Sequence, residues 1–144
     1  MRRTLDDLLA EAEARIERTT PREAARAIDE GALLIDIRAQ DDRARDGVVP
    51  GALHVPRTVL EWRLDPDSEW RSPHVGGLDR RILLLCDHGF SSVLAAATLV
   101  DLGFARAGDV IGGFRAWREA GLPVASAPAR GADELAGMGP PDRP

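Results

Sequence analysis

Two short, nearly continuous apolar runs constrain this chain more than any other feature: Ala32-Leu33-Leu34-Ile35-Asp36-Ile37-Arg38 and Arg81-Ile82-Leu83-Leu84-Leu85-Cys86. Neither shows the alternation of a strand with one wet face, so each predicts a strand covered on both sides. Such strands belong to parallel sheets, and the segments between them carry helical patterns. The fold class expected is therefore α/β, a central parallel sheet with helices on both faces.

The helices announce themselves by their caps. Leu5, Leu9, Ala12 and Ile16 recur at helical spacing behind Thr4, with Asp7 three residues later, which predicts an amphipathic helix over residues 4–18. This is an extra N-terminal element, residues 1–19, whose apolar stripe suits either the face of the sheet or a second copy of the chain in a homodimer. Thr20-Pro21-Arg22-Glu23 starts a second helix that Gly31 ends. Residues 39–47 are polar and helix-permissive, Val48 to Pro56 reads as a turn and a short extended piece, and a short helix is expected near Val59 to Arg63. Residues 65–79 form a surface loop, its ends expected to be pinned by Trp62 and Trp70. Ser91-Ser92 caps a helix running to about Gly103. Gly108-Asp109-Val110-Ile111 is a third strand candidate, turned by Gly112-Gly113 into a helix over residues 114–120. Residues 125–144, mostly Ala, Pro, Gly and charged types, are expected to be a disordered tail.

At 144 residues, with 44% hydrophobic side chains, the chain has material for one core. Its basic residues, 19 in number, are all Arg against 24 acidic residues, and the net charge of -5 gives no general attraction to nucleic acid or anionic lipid. No apolar run approaches the ~20 residues that span a bilayer, and no secretory signal opens the chain, so a cytoplasmic protein without a membrane role is expected. The single Cys excludes an internal disulfide and a Cys-only metal cluster. It is either a buried filler or one working thiol.

Position argues for the working thiol. Cys86 ends a buried strand, where parallel α/β folds place their ligand sites, and a Gly-containing loop and a helix N-terminus follow at once. Backbone N–H groups converging there favour thiolate over thiol. Gly89 suits a loop that curls its amides inward. An inert core cysteine has no need of that cradle.

The loop Cys86-Asp87-His88-Gly89-Phe90-Ser91-Ser92 resembles the active loop of the single-domain rhodanese-like sulfurtransferases, Cys-x-x-Gly-x-(Arg, Ser or Thr)-(Ser or Thr). Leu34-Ile35-Asp36-Ile37-Arg38 is similar to that family's Asp-x-Arg strand end, and Val49-Pro50-Gly51-Ala52 to its Ile-Pro-Gly-Ala turn. Gly112-Gly113-Phe114-Arg115-Ala116-Trp117, followed by Ala120 to Val124, is similar to its closing signature. The resemblance covers residues 20–124, and it implies a rhodanese-like fold and a sulfurtransferase. In that activity the Cys86 thiolate takes the outer sulfur of thiosulfate or a similar anionic donor, holds it as a persulfide, and yields it to cyanide or a thiol. No metal and no organic cofactor is implied. Residues 87–92 would supply the amides that stabilise the passing charge. Ser91 and Ser92 would add hydroxyls or serve as caps.

Asp36 and Arg38, two apart on a strand, read as a structural ion pair beside the loop. Arg57, Arg63 and Arg115 are candidate cations for an anionic donor or simply solvated surface charges. His88 would tune donor choice or face solvent, and His54 and His74 show no metal-ligand spacing with Cys86. Two rivals stand: a non-catalytic module of the same fold, and a Cys-dependent phosphatase or arsenate reductase. The second needs a Cys-x5-Arg loop, and here the Arg position is Ser92.

Overall fold

The computed structural model describes residues 1–128. Five parallel strands form one sheet in the order β1-β5-β4-β2-β3: β1 Glu17–Thr19, β2 Leu33–Asp36, β3 Leu53–His54, β4 Ile82–Leu85 and β5 Ala107–Val110. The expected parallel α/β architecture is present. The helices are α1 Leu5–Glu13, α2 Pro21–Asp29, α3 Gln40–Asp46, α4 Leu60–Leu64, α5 Ser91–Asp101 and α6 Gly113–Glu119, with a 3-10 turn at Arg57–Val59. None of them is long and apolar enough to cross a membrane.

Alternation along the strands divides the core in two. Ile35, Ile82, Leu84 and Ala107 pack with Leu60 and Leu64 of α4 and with Ala95, Ala96 and Leu99 of α5. Leu34, Leu83, Leu85 and Val110 pack on the opposite side with Ala24 and Ala27 of α2 and Phe114 and Trp117 of α6. Both central strands are buried at every position, except for partly exposed Leu33, which is why their sequences lack polar alternation. Thr4 and Thr20 each form the reciprocal capping box that starts α1 and α2.

The N-terminal element departs from a helix over residues 4–18. The helix ends at Glu13, and Glu17–Thr19 adds a fifth strand to the sheet edge, paired with β5. Glu17 lies opposite Gly108, where an added Cβ would stand 2.0 Å from the Glu17 carbonyl oxygen; only a glycine lets this strand close. Helix α1 lies on α5 through Ala12, Val93 and Ala97, supported by Leu9, Ile16 and Leu94.

Two further expectations are corrected. Trp62 is 57% exposed; the base of the 65–79 loop is held instead by buried Arg63, whose guanidinium donates to the Trp70 carbonyl and whose backbone carbonyl accepts from the Ser72 N–H at 2.8 Å. A long polar side chain at that helix end does what the indole was expected to do, because the loop presents it with a backbone carbonyl, while Val75 anchors the far part of the loop in the core. Ala125, placed at the start of the tail, pairs with Val48 in an antiparallel bridge with both hydrogen bonds at 2.8 Å. The remainder of the expected tail from residue 129 lies outside the described residues.

Candidate active site

Parallel strands bring their carboxyl ends to one edge of the sheet. Asp36 ends β2, Cys86 follows β4 and Asp109 lies near the end of β5. The loop from Asp87 to Phe90 leaves β4 and enters α5. Gly89 has φ +84°, and a Cβ there would stand 2.5 Å from the Gly112 nitrogen, so the glycine serves both the backbone conformation and the close approach of the next turn. From the outside, α6 grips the loop: the Phe114 N–H donates to the Cys86 carbonyl at 2.8 Å and the Arg115 N–H to the Asp87 carbonyl at 3.1 Å. With those carbonyls held outward, the loop's amides are free to face the sulfur.

Cys86 Sγ accepts from the Gly89 N–H at 3.1 Å and lies 3.2 Å from Ser92 Oγ. Burial pushes the thiol up, but the Ser92 hydroxyl and amide, the Ser91 hydroxyl and the Gly89 amide outweigh it and hold it below the ordinary thiol value. Neither serine caps the helix. The N-cap of α5 is Phe90, without a side-chain cap, so the first N–H groups of the helix remain available to the sulfur. The expected thiolate-favouring cradle is thus assembled from one glycine amide, one helix start and two hydroxyls.

The other loop residues form the rim. His88 and Asp87 pair at 3.0 Å, and the His88 ring stacks with that of Phe90 at 6.5 Å between centroids. Phe90 is 69% exposed; it joins Leu5, Leu9, Ser91 and Leu94 in lining an apolar groove of about 490 Å³ beside the loop.

Asp36 and Arg38 form the structural pair expected, both buried, at 2.8 Å. Arg43, also buried, shares the carboxylate at 3.3 Å, and the Arg38 guanidinium lies 4.0 Å over the Phe114 ring. The pair therefore braces α6 against the sheet rather than reaching the sulfur. Arg57 is turned to Glu61 at 2.8 Å, and the Arg115 side chain is exposed while its backbone holds the loop.

Sequence reasoning missed Asp109 and Arg18. The Asp109 carboxylate, fully buried, accepts from Ser92 Oγ at 2.7 Å, and Arg18 of β1 donates to both its oxygens, at 2.9 and 3.1 Å. The same guanidinium reaches the Gly89 carbonyl at 3.1 Å. An acid inside a strand with apolar neighbours was the available signal, since a buried carboxylate demands partners.

The comparisons agree with this architecture. The family model described as the rhodanese-like domain matches residues 20–120, and the chain belongs to that family. The thiosulfate sulfurtransferase GlpE of Pseudomonas syringae pv. syringae is 35% identical over 102 residues, covering 71% of this chain and 87% of its own. A sulfurtransferase of Allochromatium vinosum is 32% identical over 95 residues, covering 66% and 79%. Among solved structures, a protein of unknown function from Rhodopseudomonas palustris, described as a possible tyrosine phosphatase, superposes with a TM-score of 0.79 at 34% identity, covering 87% of this chain and 96% of that one.

Proposed function

We propose that this protein is a sulfurtransferase working through a persulfide on Cys86. The observation that carries the reading is the sulfur itself: a buried, hydrogen-bonded Cys86 at the carboxyl end of β4, 3.1 Å from an inward amide and 3.2 Å from Ser92 Oγ in the first turn of α5. The Cys86 thiolate attacks the outer sulfur of thiosulfate or a similar donor; the new Sγ–S bond forms as the donor's S–S bond breaks, and sulfite leaves with the electron pair. Charge then rests on the outer persulfide sulfur, where loop amides and the α5 N-terminus stabilise it as preorganised dipoles. A thiol or cyanide attacks that sulfur, and the Sγ–S pair returns to Cys86. In this reading the positive potential nearest the sulfur comes from backbone dipoles, and Arg57 is engaged with Glu61. Relatives named as sulfurtransferases support the chemistry.

A phosphatase would need a guanidinium at the position that Ser92 occupies, to grip a tetrahedral oxyanion. Here that position holds Ser92, whose hydroxyl donates to Asp109 and offers no bidentate cation to a phosphate group.

Intact mass spectrometry after thiosulfate treatment tests the proposal. The protein gains one sulfur atom, cyanide removes it as thiocyanate, and Cys86→Ser abolishes the gain. Absence of an adduct from thiosulfate and from other sulfane donors would overturn it.

A further inference from the structure

Behind the reactive sulfur lies a chain of contacts that the sulfur-transfer cycle above does not use: Cys86 Sγ to Ser92 Oγ at 3.2 Å, Ser92 Oγ to Asp109 at 2.7 Å, and Asp109 to Arg18 through two hydrogen bonds. The first three residues are buried, Ser92 and Asp109 completely. A carboxylate placed this close to a site that must carry negative charge has an electrostatic cost, so its presence calls for a role.

Counting protons supplies one. The Ser92 hydroxyl has a single proton and accepts as well as donates. While Cys86 is a thiol, the set is satisfied: S–H donates to Ser92, and Ser92 donates to Asp109. Once Cys86 ionises, the thiolate and the carboxylate both ask for the same proton. Arg18 moderates the contest, because its two N–H groups already occupy the carboxylate oxygens and its charge offsets theirs. In the persulfide the contest disappears, since the charge has moved outward by one sulfur and Ser92 is free to serve Asp109 again.

We propose that Asp109, clamped by Arg18, is a positioning residue that sets the direction of the Ser92 hydroxyl and thereby how readily Cys86 gives up its proton. The arrangement favours the persulfide over the free thiolate and keeps the resting thiol from reacting at its full capacity. This inference rests on the sulfurtransferase reading for its purpose, though not for its test. The charged groups around the cluster are Glu13, 3.5 Å from Arg18; Asp87 and His88, paired on the loop; Asp36 with Arg38 and Arg43 at the end of β2; and the exposed Arg115 and Arg118 of α6. Asp109 is the carboxylate that shares a hydrogen-bonded partner with Cys86.

The test is the pH dependence of Cys86 alkylation by iodoacetamide on the full chain, which reads the thiol and not sulfur transfer. Asp109→Asn keeps the shape, donates its amide to Ser92 Oγ and turns the Ser92 proton toward sulfur. Alkylation of that variant near neutral pH is expected to be faster by roughly threefold to tenfold, with the titration midpoint moved down. Ser92→Ala is expected to slow alkylation, and in that background Asp109→Asn loses most of its acceleration, whereas Ser92→Thr, which keeps the hydroxyl, restores the wild-type midpoint. An unchanged or raised midpoint in Asp109→Asn, or equal acceleration with and without the Ser92 hydroxyl, would overturn the proposal. Should Asp109→Asn fail to fold, Arg18→Gln decides when made with and without the Ser92 hydroxyl: slower alkylation that Ser92→Ala largely removes supports the proposal, and an unchanged or faster rate, or equal slowing in both backgrounds, refutes it. A failed persulfide assay alongside these shifts would count against the sulfurtransferase reading alone.

Discussion

Phe114 donates its backbone N–H to the carbonyl oxygen of Cys86 over 2.8 Å, so the last helix of the domain holds the backbone of the reactive residue. Gly113, just before it, has φ +63°, and a Cβ there would stand 2.4 Å from that same carbonyl. Gly113→Ala is therefore expected to cost about 1–3 kcal/mol through backbone strain alone. The clash adds to it and displaces the loop. Thermal unfolding gives the first effect, and a fall in Cys86 alkylation rate in the folded fraction gives the second.

A second prediction concerns Asp36, whose carboxylate serves two buried guanidiniums, Arg38 and Arg43. Asp36→Ala removes the carboxylate that both buried charges share and leaves Arg38 with the Gly47 carbonyl and Arg43 with Gln40. Removing one partner of a buried ion pair typically costs about 3–5 kcal/mol, and that loss is expected in urea unfolding. A loss under about 1 kcal/mol would mean that water or other groups take over the guanidiniums.

The depressed thiol makes stability depend on pH. The Cys86 value in the folded protein lies below the ordinary 9.0, so the native state holds fewer protons than the unfolded chain between the two values. Stability from the thiolate is fully present above the unfolded value and is lost as pH falls through the folded one. The melting temperature of the wild type relative to Cys86→Ser is expected to rise with pH across that window and level off above it. A difference that stays flat with pH would show that the thiol is not depressed.

At the N-terminus of α2, Thr20 accepts from the Glu23 N–H at 3.2 Å and Glu23 accepts from the Thr20 N–H at 3.0 Å. Thr20→Ala breaks one half of that exchange and is expected to cost about 1 kcal/mol in denaturant unfolding. Because the bonds lost run only between Thr20 and Glu23, the alkylation rate of this variant should match the wild type.

The parts of this molecule that were legible in its sequence are those decided by local chemistry. Continuous apolar residues in β2 and β4, reciprocal caps at Thr4 and Thr20, and the loop from Cys86 to Ser92 all declare themselves within a few positions. Strand β1 does not, since Glu17-Arg18-Thr19 is short and polar and becomes a strand only by pairing with β5 at Gly108. Trp62 misled for a related reason: size suggested an anchor, but the loop offers backbone polar groups, which Arg63 satisfies. Asp109 stayed hidden because its partners lie 17 and 91 positions away, and nothing in its immediate neighbours names either.

That last separation has a consequence for the life of the chain before it is complete. Contacts between distant positions close late, because the loop entropy between them must be overcome first. During synthesis Cys86 emerges before Asp109 exists, and its amide cradle before α6 can grip the loop. The sulfur therefore acquires its cradle, and the carboxylate that restrains it, only when both ends of the domain have met, and until then a growing chain carries an ordinary thiol.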